Sequence, residues 1–287
     1  MSDTNWEDMI SLNSRADTST ETVGRAVDFL HADRGDVAWD RKRIPLDVAL
    51  QRDGFQIPST AQREGYYGDK HFDYWASGLR DYCQLLEWME PRNVPHGTLL
   101  DLGCATGRFL RHAHADFTEV IGCDINRKHV DWIGQHLGSD TKVFQNTSVP
   151  SLPLADESVD VVTAFSVFTH IECFDTTWLM ELRRILRPNG IAWLTIHGER
   201  TWREIEPTWP LYPALTSHPD YAQYREVRSL PKDRLVFRWH AERSYSANVF
   251  YTDRYIRQTW GRILTVRETF PALPHFQDVL VLQKTDN

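Results

Sequence analysis

Residues 99–110 read Leu-Leu-Asp-Leu-Gly-Cys-Ala-Thr-Gly-Arg-Phe-Leu, and this stretch decides the fold class. The apolar residues at its start predict a short strand, and Arg108-Phe109-Leu110 predicts the first turn of a helix. Gly103 and Gly107 bracket the turn between them, where glycine permits unusual backbone dihedrals and lets a ligand approach closely. We expect the first amides of the helix to face this turn and to favour a carboxylate or a phosphate there.

An acidic residue ends the next predicted strand. Residues 120–124 form the run Val-Ile-Gly-Cys-Asp, and Asp124 lies 21 positions after Gly103. A carboxylate about 20 residues after a glycine turn, at the tip of the next strand, is placed to accept hydrogen bonds from two ribose hydroxyls. A dinucleotide motif would carry glycine at the position of Ala105, because pyrophosphate requires a very close approach to the backbone. The alanine therefore favours S-adenosylmethionine over NAD.

Four motifs carry a resemblance to a known family. They are Asp101-Leu-Gly-Cys-Ala-Thr-Gly107, Asp124, the run from Leu152 to Ser166 and the run from Leu182 to Gly190. In this order and spacing they resemble class I S-adenosylmethionine-dependent methyltransferases, over about residues 66 to 284. The resemblance implies an α/β fold with a doubly wound, seven-stranded, mostly parallel, Rossmann-like sheet and an antiparallel C-terminal hairpin. It also implies S-adenosylmethionine as the methyl donor and S-adenosyl-L-homocysteine as its product.

Strands and helices are predicted to alternate from residue 98 onward. Strands are expected over 98–103, 119–124, 141–146, 159–165 and 191–196, and helices over 107–115, 127–137 and 176–187. Such alternation predicts right-handed crossovers and a parallel sheet. Near the end, a helix over 253–261 precedes two strands, 263–269 and 278–284, which suit an antiparallel hairpin.

The chain is predicted to consist of an N-terminal extension, residues 1–57, and a methyltransferase domain, residues 58–287. Residues 1 to about 20 are polar and are expected to be disordered, whereas Thr22–Ala32 is expected to be a helix. The domain is divided into a helical lid over 58–97, a cofactor-binding core over 98–199, an insertion over 200–250, and a C-terminal helix with two strands over 251–287. The aromatic insertion is expected to cap the substrate or to form an extra structural layer.

The lid is expected to contain a helix over His71–Met89 with one apolar stripe at helical spacing, formed by Phe72, Trp75, Leu79, Tyr82, Leu86 and Met89. In the resembled family, a helix of this kind lies over the cofactor. The stripe itself is expected to be core.

Composition excludes several functions. The net charge of −8 opposes binding to a phosphate backbone, so no nucleic-acid partner is expected. No run is apolar and long enough for a membrane span, and the first residues lack the basic and apolar segments of a signal peptide. The four cysteines are scattered without a C-x-x-C pair, which indicates reduced thiols in a cytoplasmic protein. The sequence leaves the oligomeric state open, with a homodimer as one expectation.

Cofactor contacts are expected at strand ends and in the lid. Tyr67, in a glycine-flanked loop, is free to cover a ligand, whereas Arg80 is expected to bind the cofactor's carboxylate or to be solvated. In the resembled family an acid or amide after the third strand reads the adenine, and Asn146, Thr147 or Ser148 could do so here. The expected cofactor residues are Tyr67, Arg80, Asp101, Gly103, Cys104, Ala105, Gly107, Asp124, Ile125, Asn146, Thr147, Phe165 and Ser166.

The exit from the fourth core strand, residues 165–170, bears on the acceptor and reads Phe-Ser-Val-Phe-Thr-His. Relatives that methylate nucleobase amines carry Asn/Asp-Pro-Pro-aromatic there, so a nucleic-acid base is disfavoured. Catechol-type relatives hold magnesium with carboxylates at this exit, and none precedes Glu172, so no metal is expected. His170 and His197 follow strand ends and are the candidate general bases, with Glu199 and Tyr245 as weaker candidates.

The expected function is methyl transfer to an oxygen or nitrogen of a small molecule. The motifs after the fourth and fifth strands resemble those of bacterial enzymes that tailor glycans or natural products, which indicates a sugar, a glycolipid or a secondary metabolite as acceptor. One alternative is a protein or peptide methyltransferase, in which the acidic surface and the aromatic insertion grip a basic segment. The other is a non-catalytic nucleotide-binding module, against which the intact Asp101, Gly103, Gly107 and Asp124 argue.

Overall fold

The computed structural model describes residues 20–30, 37–239, 246–273 and 276–285. The expected disorder at the start of the chain and the candidate base Tyr245 lie outside these ranges. Within them, no helix is long and apolar enough to cross a membrane.

The strands and helices alternate through the centre of the chain. In order they are β1 (Thr22–Arg25), α1 (Leu46–Arg52), β2 (Gln56–Pro58), α2 (His71–Met89), β3 (Thr98–Leu102), α3 (Leu110–Ala113), β4 (Glu119–Asp124), α4 (Arg127–His136), β5 (Thr141–Gln145), β6 (Val159–Ala164), α5 (Asp175–Ile185), β7 (Leu186–Ile196), α6 (Glu199–Arg203), α7 (Leu211–Ser217), β8 (Arg234–Arg238), β9 (Ala247–Tyr251), α8 (Asp253–Gln258), β10 (Thr265–Phe270) and β11 (Asp278–Gln283).

Seven of these strands form one sheet in the order β10-β11-β7-β6-β3-β4-β5. The strands β3, β4 and β5 pair in parallel, whereas β11 is antiparallel to both β7 and β10. The predicted fold class, a mostly parallel, Rossmann-like sheet with an antiparallel C-terminal hairpin, is therefore confirmed. Apolar runs buried on both faces, such as Leu99-Leu100 and Val161-Val162, are what such a central sheet requires.

The chain separates into two compact units. The N-terminal unit comprises the described residues from 20 to 146 together with 159–161, and the C-terminal unit comprises 147–158 and the described residues from 162 to 285.

In the N-terminal unit, α2 has the predicted bounds, and all six residues of the predicted stripe are buried. The burial extends well beyond that stripe and includes Tyr74, Ser77 and Asp81. Gly78 allows a close approach at the centre of the helix, because a Cβ there would lie 1.9 Å from the carbonyl oxygen of Arg108. The helix therefore packs directly against the segment that follows the glycine turn.

The predicted helix over Thr22–Ala32 is wrong. Residues Thr22–Arg25 form β1, which pairs antiparallel with β2, and a short 3-10 helix follows over Ala26–Phe29. Gly24 has φ +128°, which no helix accommodates, and Thr22 and Val23 are β-branched residues that suit a strand.

Three further boundaries differ from the prediction. The helix after the glycine turn spans only Leu110–Ala113. Strand β7 begins at Leu186 rather than at residue 191, because the Asn189 amide donates to the Lys284 carbonyl and the Lys284 amide donates to the Gly190 carbonyl, both at 2.9 Å. Helix α8 ends at Gln258, and the last strands begin and end within two residues of the expected positions.

In the C-terminal unit, the described part of the aromatic insertion folds around its own core. This core contains Trp202, Leu211, Leu215, Tyr221, Leu235, Phe237 and Phe250. Trp202 stacks on Phe237 with a centroid distance of 6.2 Å and packs edge-on against Phe250 at 5.3 Å. The packing of these side chains in a core explains why the insertion is rich in aromatic residues, as an extra structural layer would be. Its role as a substrate cap stays a prediction.

Candidate cofactor and acceptor sites

The glycine turn after β3 has the left-handed backbone that the sequence predicts. Gly103 and Gly107 have φ of 73° and 77°, and Ala105, between them, has φ 46°. A left-handed conformation costs a non-glycine residue about 1–2 kcal/mol. The Ala105 amide donates to Asp124 Oδ2 at 2.8 Å, and this bond offsets the cost.

Gly107 is required by its dihedral angles, and a side chain there would also displace its neighbour. A Cβ at this position would lie 2.3 Å from Leu137 Cδ1, at the end of α4. The absence of a side chain therefore lets the turn approach the neighbouring helix. This role differs from the expected one, in which both glycines make room for a ligand.

The amides of the turn are bonded within the protein. Gly103 and Cys104 both donate to the carbonyl oxygen of Cys123, at 2.8 and 3.0 Å, and the Gly107 amide donates to the carbonyl of Cys104 at 2.9 Å. The four-residue α3 begins only at Leu110. The expectation that the first helical amides favour an anion at this turn stays a prediction.

Asp124 lies at the end of β4, as predicted, and its side chain is held by two backbone amides. Oδ2 accepts from Ala105, and Oδ1 accepts from Asn126 at 2.8 Å. The residue is only 7% exposed. An ionised carboxylate has about four acceptor positions, so two remain for the hydroxyls of a ribose. A fixed carboxylate beside a turn without bulky side chains fits a nucleoside.

Two other expected residues, Asn146 and Ile125, are held near Asp124 by hydrogen bonds of their backbone atoms. The Asn146 amide donates to the Asp124 carbonyl at 3.1 Å, and the Ile125 carbonyl accepts from Gln145 Nε2 at 2.9 Å. Asp101 is buried within β3. Cys104 is also buried, and burial raises the pKa of its thiol well above the usual value, so the thiol stays protonated.

Arg80 and Arg108 share one carboxylate. Arg80 donates through Nε and Nη2 to Asp81 Oδ1, at 2.9 and 2.7 Å. Arg108 donates through Nη1 to Asp81 Oδ2 at 2.6 Å and to Ser77 Oγ at 3.2 Å. Both guanidinium groups are thus committed to α2, and the expected role of Arg80 at a cofactor carboxylate stays a prediction. The sequence analysis did not name Arg108 as a candidate site residue, although its position directly after Gly107 indicated that it lies near the turn.

The tyrosine loop, which we define as residues 59–70, lies against this arginine. The Tyr66 ring is 5.8 Å from the Arg108 guanidinium and is 53% exposed. Tyr67 is half-buried with φ 63°, and its ring packs edge-on against Tyr66 at 4.8 Å. The loop therefore presents an exposed aromatic ring in the same unit as Asp124.

The remaining expected cofactor residues, Thr147, Phe165 and Ser166, belong to the C-terminal unit. Thr147 Oγ1 accepts from the Val149 amide at 3.2 Å. Ser166 has φ 58°, its amide donates to Thr195 Oγ1 at 2.6 Å, and its hydroxyl accepts from Gln277 Nε2 at 3.0 Å. Sequence reasoning missed Gln277, because nothing local links it to residue 166.

His170 is held in one tautomer. Its Nδ1 lies 2.7 Å from the carbonyl oxygen of Ala247, which only accepts, so Nδ1 carries the hydrogen and Nε2 is left as an acceptor. Burial lowers the pKa of His170 below its usual value of 6.5. The neutral ring is therefore prepared to accept a proton at Nε2.

His197 has a drier environment. It is 2% exposed, and its ring lies 5.1 Å from Phe250 and 6.0 Å from Phe276. Among the described residues, neither ring nitrogen has a hydrogen-bond partner of normal geometry. Burial, and secondarily the nearby His170, hold the pKa of His197 well below the usual value. The two candidate bases lie in one unit, and His170 is the more exposed of them.

Comparison with known proteins agrees with the fold and with the glycine turn. Residues 100–194 match the family described as methyltransferase domain. A malonyl-acyl-carrier-protein O-methyltransferase of Methylococcus capsulatus is 32% identical over 146 residues, which cover 50% of this chain and 53% of the relative. An enzyme of the same name from Yersinia pestis is 30% identical over 112 residues, covering 39% of this chain and 40% of that protein. The chain thus spans about half or less of the length of these curated relatives.

Among solved structures, a 1,6-didemethyltoxoflavin-N1-methyltransferase of Burkholderia thailandensis has the same fold. The TM-score is 0.50 at 13% sequence identity, with 79% of this chain and 85% of that chain covered. Residues 100–194 thus match a methyltransferase domain, and the fold is the one that the resemblance to class I S-adenosylmethionine-dependent methyltransferases predicts.

Proposed function

We propose that this chain transfers the methyl group of S-adenosylmethionine to an oxygen or nitrogen atom of a small-molecule acceptor, with His170 as the general base. The observation that carries the proposal is the hydrogen bond from His170 Nδ1 to the Ala247 carbonyl, because it leaves Nε2 as a proton acceptor. A positioned base contributes typically ~10²–10⁴-fold to such a reaction.

The cofactor would be held mainly by the N-terminal unit. Asp124 would accept hydrogen bonds from the ribose hydroxyls, and Asn146 or its neighbours Thr147 and Ser148 would contact the adenine. When bound, S-adenosylmethionine supplies a methyl group that is already activated by its sulfonium. The tasks left to the protein are to orient the acceptor and to take its proton, so a neutral His170 is the form required.

A second candidate acceptor follows from the curated relatives, whose printed names describe methylation of a malonyl group on an acyl carrier protein. A carboxylate is already ionised at neutral pH, so its methylation needs no base. The two candidates therefore differ in their dependence on His170, although both use the same cofactor. A peptide acceptor and a non-catalytic module of the same fold remain as further alternatives.

The experiment is transfer of a labelled methyl group from S-adenosylmethionine to three kinds of acceptor: a small-metabolite extract, a malonylated acyl carrier protein and a peptide mixture. We expect label in the small-metabolite fraction, and loss of most of it with His170→Ala. Label only on the carrier protein or on peptides would replace the proposed acceptor class. Binding of S-adenosyl-L-homocysteine without transfer to any fraction would favour the non-catalytic module.

The quaternary state and the cellular location are separate proposals. We infer a cytoplasmic location from the scattered cysteines, and we propose a homodimer, a state that the sequence leaves open. Light scattering coupled to size exclusion, and fractionation of the source cells, test these two points without reference to activity.

A further inference from the structure

A buried histidine lies between the proposed ribose acid and the tyrosine loop. His129, on the first turn of α4, has its Nδ1 3.5 Å from Asp124 Oδ1 and its Nε2 3.7 Å from Glu64 Oε1. The residue is 6% exposed, and among the described residues neither ring nitrogen makes a hydrogen bond. Both distances exceed the normal hydrogen-bond range of about 2.7–3.2 Å. A shift of less than about 1 Å would therefore complete either bond.

The loop on the far side of this histidine has a backbone that needs support. Within it, Glu64 and Tyr67 have φ of 54° and 63°, and the two glycines of the same turn also have positive φ. Because left-handed backbone is unfavourable for residues with a Cβ, other contacts must hold the loop in this form. Two such contacts come from α4 and its cap: Asn126 Nδ2 donates to Glu64 Oε1 at 3.1 Å, and Lys128 Nζ donates to the Ala61 carbonyl at 3.2 Å.

We propose that His129 is a positioning residue that couples occupancy of Asp124 by the cofactor's ribose to the position of the tyrosine loop, through Glu64. This inference rests on the proposed function, because it requires the ribose to bind at Asp124. It assigns to the loop a task beyond covering the cofactor, namely sensing whether the ribose is present.

The coupling follows from the number of protons on a neutral imidazole. Such a ring has one N–H, so it donates to Asp124 through Nδ1 or to Glu64 through Nε2, but never to both at once. Without ribose, the Asp124 carboxylate competes for this hydrogen. Ribose hydroxyls that donate to Asp124 reduce that demand and favour the tautomer that donates to Glu64.

The consequence is a loop that tightens when the nucleoside binds. In that state Glu64 accepts from both Asn126 and His129, and the strained turn that carries Tyr66 and Tyr67 is fixed. Binding at Asp124 and ordering of the loop are then linked, and each favours the other. Since Glu64 has a side chain that is 65% exposed, substitutions at this residue can weaken the coupling without removing a buried group.

The test is hydrogen exchange of peptides covering residues 59–70, with and without saturating S-adenosyl-L-homocysteine, on the full chain. We expect the ligand to slow exchange in the wild-type loop by about tenfold or more. Glu64→Ala and His129→Leu should both abolish this protection, and the double variant should lose no more than either single one. Glu64→Gln should retain part of the loop protection, because the amide oxygen of glutamine can still accept a hydrogen bond.

The matched control is Asp131→Asn, which removes a charge from the same helix, where Asp131 pairs with Arg127 rather than with the loop. Its loop should be protected as in the wild type. Calorimetry gives the ligand affinity of each variant, and Glu64→Ala should weaken binding by no more than the factor of loop protection that it loses, about tenfold, because the linkage is reciprocal and its Asp124 is intact.

Two results would overturn the coupling alone: ligand binding to the wild type without loop protection, or full protection in both Glu64→Ala and His129→Leu. Should His129→Leu fail to fold, Glu64→Ala decides by itself. Absence of any ligand binding to the wild type would instead overturn the proposed function, and the coupling with it.

Discussion

The proposed cofactor and acceptor sites differ in the sequence separation between the residues that are hydrogen-bonded to each other. In the N-terminal unit, Asp124 is bonded to Ala105 and Asn126, at separations of 19 and 2 residues. In the C-terminal unit, the candidate base His170 is bonded to Ala247, at a separation of 77 residues. A short motif is enough to specify the first site. The second depends on tertiary pairing, which a short motif does not encode.

The largest effect is expected on the acceptor side. His170→Ala should lower kcat by about 10²–10⁴-fold, because the positioned proton acceptor is lost, while KM for S-adenosylmethionine should stay nearly constant. Steady-state transfer of labelled methyl groups measures both constants. His96→Gln, in the N-terminal unit, is the control and should leave kcat unchanged. A His170→Ala enzyme with undiminished kcat would remove the general base from the account.

On the cofactor side, Asp124→Ala should weaken binding of S-adenosyl-L-homocysteine by about a hundredfold or more. The reason is the loss of hydrogen bonds to a charged acceptor, each worth about 1.5–3 kcal/mol. Titration calorimetry measures the change. Asp124→Asn keeps the shape and one acceptor oxygen, so its loss should be smaller. Equal affinities for the wild type, Asp124→Ala and Asp124→Asn would show that the ribose does not bind at Asp124.

The packing beneath the glycine turn is tested by two glycine substitutions. Gly78→Ala would bring a Cβ within 1.9 Å of the Arg108 carbonyl, so we expect it to lower the free energy of unfolding by about 1–3 kcal/mol. Gly134→Ala, on α4, meets its nearest neighbouring atom at 3.9 Å and should stabilise the protein by about 0.5–1 kcal/mol. Urea denaturation measures both. A neutral Gly78→Ala would mean that α2 and the turn can separate without cost.

The smallest expected effect is on the pH profile. Since burial lowers the pKa of His170 below 6.5, the ring stays neutral as the pH falls to that value and takes up its proton only at lower pH. The acidic limb of the kcat profile should therefore lie below pH 6.5, and it should disappear from any residual activity of His170→Ala. An acidic limb centred above pH 6.5 would contradict the assignment of His170 as the base.

The fold was predictable because its signals are local. The apolar runs that become β3 and β4, the glycines of the turn and the acid at residue 124 all lie in one stretch of about 25 residues. Helix α2 was predictable to the residue, since its stripe repeats at helical spacing over five turns. Where the pattern was weak, at Thr22–Arg25, the pairing with a strand more than 30 residues away decided the outcome.

The contacts within the candidate sites were less accessible to sequence reasoning. Arg80 was a candidate cofactor residue on the sequence and Arg108 was missed, and the structure pairs both with the same buried carboxylate, Asp81. His129 carried no signal at all, because its relation to Glu64 spans 65 positions and depends on how the tyrosine loop folds back. Residue types indicate which chemistry is possible, whereas the partners of a buried polar group are set by packing.

We propose above all that a nucleoside binds at the end of β4 through Asp124. A crystal structure of the protein with S-adenosyl-L-homocysteine tests it most directly. We expect both ribose hydroxyls within about 3.2 Å of the Asp124 carboxylate oxygens, with the Ala105 and Asn126 amides still donating to those oxygens. A ribose bound elsewhere, with Asp124 contacting only these two amides, would contradict it.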